Sequence, residues 1–367
     1  MTVVVPATSA NLGPGFDCLG VALDLTDEVT AEVTGEGVAV EITGEGAGEV
    51  PTDERHLVVA TMLTTFARLG LSRPPGLRLT CVNRIPHARG LGSSSAAIVA
   101  GILLAQALAE GPAMAEVPGG AEGPAVAGAG LNGKPAGPDD RTGASPAALA
   151  EGTAGRSVGP AEERPGPDDR TAARCPDDRR QALALAAELE GHPDNVAPCL
   201  LGGFVIAWTG PAGAEAVRLT PAADVRPVLY VPDKHGLTAH ARAALPEQVP
   251  HRDAAFNLAR SALLVHALTQ APELLMAATE DRLHQPYRAA AAPETAALVA
   301  SLRAAGVPAV VSGAGPSVLA FTGAFAPEPP DPPAGWVGRA LAWSPTGARM
   351  LGRGHADSDP VAAGRVG

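Results

Sequence analysis

Aromatic side chains are scarce. Phe, Trp and Tyr together make up 3% of the 367 residues, so any core must be assembled from alanine, leucine and valine. There are four cysteines, Cys18, Cys81, Cys175 and Cys199, and none shows CxxC or metal-ligand spacing. That excludes a disulfide framework and a zinc module. No apolar run approaches the ~20 residues needed to span a bilayer. The opening MTVVVPATS has no basic stretch followed by a long apolar one, so no signal peptide is expected and the cytoplasm is the expected location. Basic residues are outnumbered, 27 Lys+Arg against 39 Asp+Glu, a net charge of −12. A nucleic-acid partner needs a basic face and is not expected. A small phosphate ligand is not excluded, because a few local arginines and backbone amides decide that.

What is present fits two domains. The apolar fraction of 46% can supply two cores, and the length allows them. Between about Glu110 and Arg180 the composition turns to glycine, proline, alanine and short charged runs, with an echo: GPDDRTGA at Gly137 to Ala144, GPDDRTAA at Gly166 to Ala173, then PDDRR from Pro176. Few large apolar side chains stand here to be buried, so a disordered insertion is expected at about 111–178. Gly128 to Lys134 fits GxxxxGK, but Pro135 stands where a nucleotide loop needs Ser or Thr and no strand precedes it, so that match is rejected. In the flanks, strands are expected at Val3 to Val5, Glu28 to Val33, Val38 to Ile42, Leu77 to Val82, Phe204 to Trp208, Pro227 to Val231, Ala309 to Ser312 and Val318 to Phe321. Helices are expected at His56 to Leu69, Ala96 to Ala109, Arg180 to Leu189, Phe256 to Gln270, Pro272 to Ala277 and Glu294 to Ala304. Pro221 to Pro227 reads as a linker, and the polar, proline-rich 326–367 as a loosely ordered tail. The mixture implies an α+β fold.

Three segments carry chemistry. Pro86 to Ala97, PHARGLGSSSAA, joins an apolar strand to an alanine- and leucine-rich helix. Strand, glycine turn, helix is the arrangement that aims backbone N–H groups at an anion. A capped helix start without ligand is the plainer alternative. Val3 to Leu23 opens from a β-branched run into a glycine-rich loop holding Asn11 and Asp17; these suit a hydroxyl and an ammonium, or else an Asx turn. Val310 to Leu319, VVSGAGPSVL, is another strand running into a glycine turn.

In this order, PATSANLGPGFD, GLGSSSA and SGAGPS resemble the three motifs of the galactokinase, homoserine kinase, mevalonate kinase and phosphomevalonate kinase (GHMP) superfamily. EGHPDNVAP from Glu190, VPDKHGLTAHARAALP from Val231 and DRLHQPYR ending at Arg288 are similar to the homoserine kinase branch. The resemblance covers about residues 3–110 and 181–325. It implies a ribosomal-S5-like ATP-binding domain at 1–220, interrupted by the insertion, and a ferredoxin-like domain at 221–325. The implied activity is ATP-dependent phosphorylation of L-homoserine in threonine biosynthesis. Pro86, His87, Ala88, Arg89, Gly90, Leu91, Gly92, Ser93, Ser94, Ser95 and Ala96 would hold ATP, with His56 at the base. Ser94 and Glu190 would ligate Mg²⁺, a hard ion that takes oxygen ligands; Glu188, two positions away, is a rival.

Homoserine is a zwitterion with a primary hydroxyl. Asp17 fits its amine, and Arg242 and Arg288 fit its carboxylate, which a planar guanidinium grips bidentately. Asn11, His192, Asn195 and Thr238 would complete the substrate contacts, and His192, Asn195 and Arg242 are the catalytic candidates. An amide such as Asn195 is no base, so the γ-phosphate or His192 is left to take the proton. The family has Asn-Leu-Val where this chain has His56-Leu57-Val58, which leaves nucleotide preference open. A sister kinase acting on mevalonate or a sugar, and a non-catalytic sensor, are the competing readings. Paired arginines with Asp17 disfavour the first, and retained metal-ligand candidates the second. Partners are then homoserine and ATP, with a homodimer left open.

Overall fold

The first strand runs from Thr2 to Ala10, through Pro6 rather than ending there (β1). It pairs antiparallel with a 16-residue strand, Leu19–Thr34 (β2), and the register shifts between Pro6 and Ala7. Proline lacks the N–H that a regular ladder needs, so the irregularity falls where the donor is missing and pairing resumes beyond it. The asparagine–glycine loop is therefore carried between two paired strands.

The computed structural model describes residues 1–111, 173–236 and 238–351. These belong to one compact unit, Met1–Val117 with Arg170–Gly367; the other unit, Pro118–Asp169, lies outside the described residues, and with it most of the expected insertion. Two sheets organise the described part. The first, of eight strands, has β2 at its centre. Its early residues Leu19–Val21 pair with β6 (Phe204–Gly210) and its later ones, Glu28–Thr34, with β4 (Gly76–Asn83). The second is a four-stranded antiparallel sheet built on β8 (Arg226–Pro232) and β10 (Val318–Thr322), with β9 (Ala309–Val311) at one edge.

Helix α2 (Ser93–Ala109) packs on the first sheet, and α1 (Leu57–Arg68) packs on α2. Most of α2 is buried, Ile98, Val99, Ile102 and Leu104 among its core residues, as expected of a helix apolar nearly all round. A Cβ at Gly101 would lie 2.7 Å from Thr61 Cβ, so glycine is what lets these helices approach. Helices α3 (Asp177–Glu190) and α4 (Pro193–Leu201) follow, and with few aromatics available Phe66, Phe204, Phe321 and Tyr230 anchor an otherwise aliphatic core.

Three expectations are corrected. Residues 336–340 form β11, paired with β8, and Arg349–Leu351 pairs with β1, so the chain is built in well past 326. Edge strands are held by backbone bonds that composition does not reveal. For the same reason Ala173 and Arg174, inside the expected insertion, pair with Arg218 and Val217. The expected linker is packed: Val225 is buried and Ala222 N–H donates to Leu268 O at 2.8 Å.

Candidate active site

The glycine–serine segment leaves β4 under constraint. Asp27, on β2, accepts the N–H groups of Arg84 and Ile85 at 2.6 and 2.8 Å, and burial pushes its carboxyl upward in pKa. Three residues of the loop, Ala88, Gly90 and Gly92, have positive φ of 52°, 72° and 68°. A Cβ on Gly92 would lie 2.0 Å from Thr8 Oγ1, and one on Gly90 2.3 Å from Ser312 O. The loop is thus pressed between the first and third segments, and glycine is required on both counts. The Ser312 hydroxyl donates to Gly90 O at 2.7 Å and lies 2.9 Å from Ser9 Oγ. Arg89 donates to Pro232 O at 2.9 Å, tying the loop to the end of β8.

Helix α2 starts at Ser93, three residues earlier than expected, with Gly92 at its N-cap and no side-chain cap. Its first-turn N–H groups have no intrahelical acceptor, and the positive end of the helix dipole adds to them. The three serines therefore line the first turn. Glu190, closing α3, accepts from Ser94 Oγ at 2.8 Å and from Ser95 Oγ at 2.9 Å. Glu188 turns instead to Arg68 on the surface. No group of three or more His, Cys, Asp or Glu side chains that could hold a metal ion is found among the described residues.

His192 is the N-cap of α4 and Pro193 its first residue, where the missing N–H costs nothing. His192 Nδ1 lies 2.5 Å from Asp194 Oδ1, and Asp194 is 1% exposed. Burial lowers the imidazole pKa, but the carboxylates of Asp194, Glu190 and Asp17 outweigh it, and the net shift is upward. Asn195 Oδ1 accepts from Thr8 Oγ1 at 2.8 Å, which turns its NH₂ away from Thr8.

The charged residues meet on the other side of the loop. Asp17, with φ of 54°, accepts from both Nη atoms of Arg242 at 3.1 and 3.0 Å. Arg288 is 5% exposed and donates to Ala241 O at 3.1 Å. Burial, then the neighbouring Arg242, lowers its pKa. Both guanidiniums face the Phe16 ring, at 5.8 and 5.4 Å from its centroid. Asn11 joins two of the segments. Its Nδ2 donates to Gly313 O at 2.8 Å and its Oδ1 accepts Asp17 N–H at 3.0 Å, so it binds the first segment to the third and sets the position of Asp17. Thr238 is the first residue of a short helix, α5 (Thr238–Ala243), which carries Arg242.

His56 is the N-cap residue of α1 and 7% exposed; its buried Nδ1 has no hydrogen-bond partner among the described residues. Burial, then His87, lowers its pKa. A neutral ring with one unmet nitrogen is an opening for a polar ligand atom.

Four contributors escape motif reading. Thr8 and Phe16 stand in the first segment without a spacing that marks them. His284 links the site internally, its Nε2 to Gly13 O at 2.7 Å and its Nδ1 to Arg288 Nη1 at 3.1 Å. Asn257 donates to Pro14 O at 2.8 Å. Only the polar, buried character of such residues on amphipathic stretches signals them, and that is weak without a fold.

The two-sheet fold, the uncapped glycine–serine helix start and the adjoining serine–glutamate pair define a small-molecule kinase of the GHMP class. Residues 56–144 match the family of GHMP kinase N-terminal domains and 259–334 that of GHMP kinase C-terminal domains. The homoserine kinase of Streptomyces coelicolor is 45% identical over 351 residues, 95% of this chain and 94% of its own. That of Clavibacter michiganensis subsp. michiganensis is 47% identical over 319 residues, 86% of this chain and 81% of its own. The solved structure of a homoserine kinase from Cytophaga hutchinsonii superposes with a TM-score of 0.65 at 22% identity, covering 96% of this chain and 97% of that one. The chain belongs to the homoserine kinase family. No described helix is long and apolar enough to cross a membrane.

Proposed function

We propose that the chain transfers the γ-phosphoryl group of ATP to the side-chain hydroxyl of L-homoserine, giving O-phospho-L-homoserine and ADP in threonine biosynthesis. The observation that carries this reading is the family relationship at 45% identity over 95% of the chain, joined to one acid and two guanidiniums around Phe16. Residues 1–220 then act as the ATP-binding domain, and 221–325, with β11 added to its sheet, as the second domain.

Phosphoryl transfer asks a protein for positioning and charge neutralisation more than for covalent help. The loop from Pro86 and the first turn of α2 would take the triphosphate on backbone N–H groups, and His56 the base. Ser94 and Glu190 fit Mg²⁺, which commonly rests on one or two carboxylates together with substrate phosphates rather than in an all-protein cage. Bound there, the ion would neutralise charge on the phosphate oxygens. Asp17 would release Arg242 to meet the substrate amine, leaving Arg242 and the buried Arg288 for the carboxylate. The NH₂ of Asn195, directed by Thr8, would hold the hydroxyl. Burial lowers the His192 pKa but Asp194, Glu190 and Asp17 hold it above its ordinary value, and Asp194 takes its Nδ1. When protonated, His192 would balance the charge of Asp194 and Glu190.

Coupled ADP release with homoserine, mevalonate and galactose tests the reading. Turnover with homoserine alone supports it. Equal rates with all three, or none above the no-acceptor blank, would refute it.

A further inference from the structure

A second cleft, of about 560 Å³, lies among the end of the long helix α6 (His251–Thr269), the turn at Thr279–Arg282, α8 (Gln285–Arg288), α9 (Pro293–Ala304) and β9. Phe16, Asp17 and Arg242 do not line it, but Arg288 and Ala314 of the third segment do, so it adjoins the site described above. Much of its wall is apolar, with Ala292, Ala296, Val299 and Val311, and two carboxylates and three guanidiniums complete it.

The carboxylates are already satisfied. Glu280 is paired with Arg260, which is not a lining residue, at 2.9 Å. Asp281 accepts the backbone N–H groups of Leu283, His284 and Gln285 at 2.8, 3.2 and 2.7 Å. Of the guanidiniums, Arg282 is paired with Asp253 at 3.2 Å and stacked on Phe256. The other two, Arg288 and Arg303, bond no acid among the described residues. Arg303 donates through Nη1 to Thr279 Oγ1 at 2.7 Å and Ala309 O at 3.4 Å, and through Nη2 to Met276 O at 2.7 Å. Those bonds leave its Nε–H and second Nη2–H, the edge that grips an anion in two places. A largely apolar cleft with a few convergent polar groups is the form of a small-molecule site.

We propose that this cleft binds an amphipathic monoanion, its charged end on Arg303 and its aliphatic or aromatic body against α9. Arg288 is a wall of the cleft and, in the function proposed above, also a ligand of the homoserine carboxylate. An anion bound beside it competes for that charge and weakens homoserine binding; this coupling rests on the function proposed above, whereas the binding itself does not.

The test uses the full chain with saturating MgATP, so that the nucleotide site is filled. 1-Anilinonaphthalene-8-sulfonate is titrated and followed by fluorescence, with uncharged N-phenyl-1-naphthylamine as the control. One saturable site is expected in the wild type. Ala296→Trp or Val299→Trp, each checked for folding by circular dichroism, should abolish it by filling the cleft. Arg303→Met should raise the sulfonate Kd roughly tenfold or more and leave the uncharged probe unaffected. Saturating sulfonate should raise the homoserine KM in wild type and not in Ala296→Trp. Unaltered sulfonate binding in both tryptophan variants, or in Arg303→Met, overturns the site. Saturable binding with an unchanged homoserine KM overturns the coupling alone. Failure of homoserine turnover with binding intact counts against the proposed function and leaves the site standing.

Discussion

The carboxylate of Asp17 is gripped from both oxygens by the guanidinium of Arg242, at 3.1 and 3.0 Å across 225 residues of sequence. In the proposed function this pair would receive a zwitterion, since a ligand carrying both charges replaces the pair's two partners at once. Arg288, buried beside them, bonds carbonyls and His284 and adds a guanidinium with no acid bonded to it among the described residues.

Arg242→Ala and Arg288→Ala should act mainly on homoserine affinity. A lost charge-assisted bond costs about 1.5–3 kcal/mol, which is a rise of roughly 10-fold to over 100-fold in KM where KM tracks binding. Steady-state kinetics at saturating ATP measure this. An unchanged KM in both variants removes them from the site.

Ser94→Ala and Glu190→Ala should lower kcat and raise the Mg²⁺ concentration needed, with homoserine KM nearly unchanged. Glu188→Ala is the internal control, because its partner is Arg68 on the surface and such exposed pairs contribute only ~0–1 kcal/mol. A Mg²⁺ titration of the three variants decides it. The metal-ligand reading fails if Glu188→Ala shifts the requirement and Glu190→Ala does not.

Thr8→Val keeps the side-chain shape and deletes the donor that orients Asn195. The loss of one hydrogen bond, on the order of 1 kcal/mol, should lower kcat roughly fivefold, and Asn195→Ala should not be made worse by adding it. Kinetics of the single and double variants give the coupling. Additive effects would show that Thr8 does not act through Asn195.

His192 makes stability depend on pH with a definite sign. Its folded pKa lies above the ordinary value, so its contribution is complete below ~6.5 and is lost as pH rises through the folded value. His192→Gln should therefore lower Tm more at about pH 6 than at about pH 9, on thermal melts of both proteins. A larger loss at the alkaline end would reverse the assignment.

Much of this was legible before any coordinates. Short apolar runs located β4 and β8, and the glycine–serine run located the loop, because steric need for glycine and the helix start leave local marks. Edge pairing left none: Ala173, Arg174 and Arg349–Leu351 join the sheet through backbone groups that every sequence has. Asn11 was found, but its bond to Gly313 spans 302 residues and exists only in the fold. Glu190 and Glu188 were separated by geometry alone, each carboxylate taking the partner its side of the helix end presents.

The most direct test of the zwitterion receptor varies the acceptor. Homoserine, 4-hydroxybutanoate (no ammonium) and 3-aminopropan-1-ol (no carboxylate) share the reacting primary hydroxyl, and kcat/KM is measured for each with wild type, Asp17→Asn and Arg242→Ala. Wild type should favour homoserine over both analogues by roughly 10-fold or more. Asp17→Asn should lose the preference over 4-hydroxybutanoate and keep the other, and Arg242→Ala should do the reverse. Equal preference in all three proteins would show that Asp17 and Arg242 pair only with each other.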